Sequence, residues 1–191
     1  MGHPTFDVFW PFLRLGFHHI LTGYDHLLFV FGLLLVCRRW RTIVAIVVSF
    51  SVAHSITLAL SVAHWVTVPS QMVEAMISFS LVIVGTENLL RRGAEPPRRW
   101  ILAFGFGLVH GLGFAAGLRE IGIGMQGTDL IQPLLGFNLG VELGQIVAGA
   151  IVLPVIWRLR QFPAFIRWGV PLCSAMIALA GLYWTVLRVF F

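Results

Sequence analysis

Six apolar runs, each long enough to cross a bilayer as a helix, decide what this chain can become. They lie at about residues 14–36, 42–65, 70–90, 100–118, 130–157 and 168–190. A hydrocarbon core takes roughly 20 helical residues per crossing. The runs lack the dyad alternation of a membrane barrel, and lipid offers no partner to an unpaired backbone group, so helices are the economical solution. Composition agrees: the 191 residues are 58% hydrophobic and only 11% charged, too polar-poor for a water-soluble domain. Mean hydropathy is +0.90. The sequence predicts an all-α integral membrane protein, one polytopic domain over residues 1–191 forming a six-helix transmembrane bundle with the lipid bilayer as its solvent.

A pI near 10.6 would suggest nucleic acid elsewhere, but every basic residue is arginine and the arginines sit between apolar runs. That is a topology signal, and no nucleic-acid partner is expected. Arg38, Arg39 and Arg41 follow the first run, Arg91, Arg92, Arg98 and Arg99 the third, Arg158, Arg160 and Arg167 the fifth. Only Arg14, Arg119 and Arg188 fall on the opposite side. The positive-inside rule then puts both termini on the outer, periplasmic or extracellular, side. Cys37 and Cys173 lie in or beside apolar runs, so no disulfide framework is expected. No basic stretch precedes the first run and no small-residue cleavage site follows it, so that run is expected to be retained. The Pro96–Pro97 loop divides the runs into two groups of three with opposite orientation, as in an inverted repeat, although the halves share no convincing sequence match.

An ionisable side chain in mid-membrane costs at least ~2.5–3.5 kcal/mol and needs a reason. The first run carries His18, His19, Asp25 and His26 in GFHHILTGYDH. On a continuous helix His19 and His26 share one face and His18 and Asp25 another, about 100° away. Two turns, roughly 10.5 Å of rise, would separate the histidines. They can share one ion lying between the turns, or mark two stations. Asp25 can bind or can orient a histidine ring from behind. Ser51, His54, Thr57 and Ser61 form a polar stripe on the second run, with Ser55 at its edge. His110 shares a face with Gly107 and Gly113, and Asn138, Glu142 and Gln145 share one on the fifth run. Gly136, Gly140 and Gly144 form a GxxxG ridge for close helix approach. Glycines beside His110 and Glu142 predict that the fourth and fifth helices meet. Counted from the arginines, His110, His54 and Glu142 lie ~16, ~20 and ~24 Å up, so the polar layer opens outward. Glu74 is expected near the outer water and Glu87 beside Arg91 and Arg92.

The spacing His19, Asp25, His26, with AHSITL, FGFGLVHGLGFA and GFNLGVELGQ further on, resembles the HupE/UreJ membrane proteins, second branch, over residues 16 to 146. Members are regarded as nickel or cobalt permeases or as accessory proteins serving metalloenzymes such as hydrogenase and urease. The resemblance makes His19, Asp25, His26 and His110 metal-site candidates and implies metalloenzyme maturation proteins as partners. The better characterised branch has FHGx[AV]HGxE in its fourth span. His110 and Gly111 match it, whereas Phe106 and Gly113 replace its first histidine and its glutamate.

These readings converge on an outward-facing intramembrane site for a divalent transition-metal ion (nickel, cobalt or zinc), held by His19, His26, His54 and His110. Asp25 and Glu142 would bind or neutralise charge, and His18, Ser51, Asn138 and Gln145 would complete the polar lining. The leading expectation is a metal permease, not an enzyme, in a bacterial inner membrane. The rival is a zinc-dependent intramembrane hydrolase, with Asp25 or Glu142 as base and Ser55 or Asn138 steadying an oxyanion. A metal-binding accessory or sensor role is the third.

Overall fold

The computed structural model describes residues 6–92, 94–120 and 131–191, with side chains over 8–92, 94–113 and 131–191. All its regular structure is helical: α1 (Phe6–Thr22), α2 (Tyr24–Leu35), α3 (Trp40–Val62), α4 (Ser70–Leu90), α5 (Arg99–Glu120), α6 (Ile131–Leu159), and α7 (Val170–Phe190) after a π-helical turn, Phe165–Gly169. Among the described residues four helices are long and apolar enough to cross a membrane: α3, α4, α6, and α7 with its π-helical turn. Five of the six predicted runs coincide with helices to within a few residues. Arg119 lies in α5, outside the described side chains.

The first run does not form one helix. The expected continuous helix over 14–36 breaks at Gly23, which caps α2 with a non-helical φ of −76° and ψ of 91°. The break has a local cause, since Gly23 lacks the Cβ that favours the helical well and Asp25 offers the backbone another partner. Its Oδ1 accepts the N–H of His26 at 2.9 Å.

Apolar stripes point outward as well as inward. On α3, Val44, Val48, Val52 and Ile56 are exposed while Phe50, Ala53, His54 and Leu58 are buried. A helix that exposes its apolar face and hides its polar one is built for lipid. Packing proceeds in three helix pairs: α3 with α5, α1 with α6, and α4 with α7. Each is closed by glycine. A Cβ on Gly107 would lie 2.8 Å from the Phe50 carbonyl oxygen, on Gly136 2.6 Å from that of Phe9, and on Gly181 2.8 Å from that of Ser78. Without an internal hydrophobic drive, membrane helices associate through such close backbone approach. The expectation that the fourth and fifth spans meet through their glycines is therefore corrected: Gly107 and Gly111 of α5 face α3, Gly113 faces α4, and Gly136, Gly140 and Gly144 of α6 face α1. Short α2 lies among α1, α4, α6 and α7, and its Phe29, Leu33 and Leu34 anchor the main core with Phe50, Leu81, Val84 and Ile177.

Candidate metal-binding chamber

The break at Gly23 brings the end of α1 against the start of α2. His19 and His26, expected two turns apart, stand with ring centroids 4.8 Å apart and edge to face. A methyl group on Gly23 would lie 2.8 Å from the His19 carbonyl oxygen and 3.0 Å from His26 Nδ1, so the glycine is required by this approach. His110, from α5, packs on the other side of His26 at 4.7 Å. Phe29, Phe50 and Phe137 wall the cluster, at 4.9 Å and 5.3 Å from His110 and 5.7 Å from His19 respectively. His54 stacks between Phe50 and Phe137 at 6.0 and 6.2 Å. His54 and His110 are completely buried and His26 is 5% exposed.

Hydrogen bonding fixes which ring nitrogen faces inward. His110 Nδ1 lies 2.8 Å from the Phe106 carbonyl oxygen; a carbonyl only accepts, so Nδ1 carries the proton. His26 Nδ1 lies 2.9 Å from Asp25 Oδ1, and an ionised carboxylate likewise only accepts. The Nε2 atoms of both rings are left as bare lone pairs, buried and without a hydrogen-bond partner. Asn138 stands within hydrogen-bonding reach of the His54 ring, which has no other hydrogen-bond partner among the described residues. Buried polar atoms nearly always find partners, so several open nitrogens around one chamber suit an electron-pair acceptor. Among the described residues no three ligating side chains form a ready-made metal site; closing on an ion requires the rings to turn.

Asp25 stands behind His26. Its Oδ1 takes the His26 backbone and ring N–H groups, and its Oδ2 accepts both terminal nitrogens of Arg188 at 3.2 Å. Arg188 also donates to the Glu74 carbonyl oxygen at 3.0 Å and to Ser78 Oγ, and its Nε lies 3.5 Å from Glu74 Oε2. Asp25 thus orients the imidazole, as a carboxylate does behind a ligating histidine. Sequence reasoning set Arg188 aside as a topology exception, whereas Glu74 is exposed, as expected, and also pairs with Arg188. The available signal was an arginine within an apolar helix, which demands a buried anion.

Other expected residues stand apart. His18 is exposed and pairs with Thr22. Ser55 Oγ donates to the Ser51 carbonyl oxygen at 2.8 Å, and Ser51 Oγ to Gln145 Oε1 at 3.3 Å. Glu142 is half-buried and makes no hydrogen bond or ion pair with a described residue. Glu87 binds Arg91, as expected, and also Arg99.

Apolar helices packed outward to lipid around a buried imidazole chamber define a multipass membrane protein with an internal polar site. The sequence profile described as HupE / UreJ protein matches residues 2–188, and the chain belongs to that family. Its family role is therefore metal-related, accessory or transport, at a membrane. Neither curated proteins nor solved structures give a match.

Proposed function

We propose that the protein is a permease for a divalent transition-metal ion of the nickel or cobalt kind. In this reading α1 and α2 form one discontinuous span, the chain crosses a bacterial inner membrane six times, and both termini face outward. The observation that carries it is the pair of buried, unpartnered Nε2 lone pairs on His26 and His110, whose rings pack 4.7 Å apart. Neutral imidazole suits nickel, cobalt and zinc. His19 and His54 supply further donors, Asp25 holds the His26 tautomer, and Asn138, Gln145 and Ser51 line the approach. Glu87 is engaged by arginines and is not among the metal donors.

The test pairs equilibrium metal binding with uptake into proteoliposomes, for wild type and His26→Ala. The wild type should bind and accumulate nickel or cobalt, and the variant should lose both. Equal uptake by the two proteins would sink the proposal. Binding without uptake in the wild type would replace transport with an accessory role.

A further inference from the structure

Away from the histidines, a cavity of ≈ 620 Å³ opens at the arginine-rich end between the α2–α3 and α4–α5 connections. Arg38, Arg39, Arg41, Arg98 and Arg99 line it with one carboxylate, Glu95. That carboxylate already accepts the backbone N–H of Arg38 at 3.0 Å. Arg38, Arg39, Arg41 and Arg98 form no ion pair with a described residue. Arg99 is 2% exposed and spends its terminal nitrogens on Glu87, Asn88 and Gly32, while its Nε has no partner. Like charges gathered around one cavity repel one another unless an anion joins them.

The backbone is arranged the same way. Helices α3 and α5 both begin at this cavity, and α3 starts from Arg39 without a side-chain cap. Open N–H groups at helix starts favour negative charge. Arg98 holds the left-handed conformation, φ 56°, a strained geometry for a side chain of this kind that concentrates at ligand sites. Trp40 and Trp100, 64% and 46% exposed, stand at the starts of the same two helices. Exposed tryptophans at span ends mark headgroup depth.

We propose that this cavity binds the phosphate-bearing headgroup of an anionic phospholipid. The shared chemistry is a phosphate oxyanion met by guanidinium groups and helix N–H groups. Free phosphate offers the same oxyanion, but it would leave much of the volume unfilled and make no use of Trp100 in the cavity wall. The site is separate from the histidine chamber, and its test does not depend on metal.

The full chain is placed in nanodiscs of phosphatidylcholine with or without phosphatidylglycerol, and retained lipid is counted by native mass spectrometry after extraction. Wild type should retain phosphatidylglycerol selectively. The triple variant Arg38→Gln/Arg39→Gln/Arg98→Gln should bind it roughly 100-fold more weakly, about fivefold per arginine removed. Arg91→Gln/Arg92→Gln, which removes basic charge outside the cavity, should change retention less than twofold. Helical circular dichroism identifies correctly folded protein, and Arg98→Gln alone, about fivefold weaker, carries the test if the triple variant does not fold. Equal retention by wild type and the cavity variants, or an equal loss in the control, overturns the proposal. So does inorganic phosphate displacing the lipid at comparable concentration, which would make the site one for soluble phosphate.

Discussion

Two polar clusters grip the same short helix, and they treat their hydrogen bonds in opposite ways. Toward its end, the Gly32 carbonyl oxygen accepts from Asn88 Nδ2 at 2.9 Å and Arg99 Nη2 at 3.0 Å. Arg99 also reaches Asn88 Oδ1 at 2.8 Å and Glu87 Oε2 at 3.3 Å. This cluster leaves only Arg99 Nε open, and it ties α2 to α4 and α5. At the start of α2, by contrast, His26 and His110 use one ring nitrogen each and leave the other bare in an apolar wall. A nearly saturated network rigidifies the bundle; an open one is a standing cost that a ligand removes. The difference separates structure from function on a helix of 12 residues.

The comparison breaks most visibly at Arg99. Arg99→Ala leaves Asn88 Oδ1 without its donor and the Glu87 carboxylate with Arg91 alone, and it empties the space of a large buried side chain, together a loss of about 3–5 kcal/mol. Thermal unfolding in detergent should show that loss, with metal affinity in the surviving folded protein nearly unchanged. Stability equal to wild type would mean the saturated cluster is dispensable. His110→Ala should do the reverse. It removes a ring with an unpaired nitrogen, so the loss of stability should be smaller than for Arg99→Ala, while metal affinity measured by calorimetry falls at least tenfold. Unchanged affinity would remove His110 from the site. Asp25→Asn should lower affinity by about 10–100-fold, as removal of a partner behind a ligating histidine does. Arg188→Gln, which loosens Asp25 in turn, should lie at the lower end of that range.

How much of this was legible beforehand depended on whether the signal was local. Helices α3 to α7 follow from long apolar runs, because lipid burial and internal backbone pairing act on each segment by itself. His26 and His110 were legible for the same reason: a histidine in such a run is conspicuous wherever the fold puts it. The break at Gly23 was not, since the polar stretch TGYDH reads equally as a site within one span and as a gap between two helices, and only a cap geometry distinguishes them. That error carried the two-turn separation of His19 and His26 with it. Helix pairing was also hidden, because a glycine ridge announces close approach without naming the partner. Arg188 was visible as an oddity but not as Asp25's partner, which lies 163 residues earlier in the chain.

The smallest effect expected is at Ser55, where it tells most about chemistry. A hydrolytic reading of the chamber needs a hydroxyl free to attack or to steady an oxyanion. Ser55 instead donates back to the carbonyl oxygen of Ser51, one turn earlier on α3, at 2.8 Å. Serines in membrane helices commonly do this, and it removes the proton from any role toward the chamber. Ser55→Ala should therefore leave metal affinity within about twofold and stability within about 0.5 kcal/mol, the range of substitutions away from packed or charged features. Loss of metal binding in Ser55→Ala would show that the hydroxyl turns inward when the ion enters, and the open chamber would then include α3's serine stripe as well as its histidine.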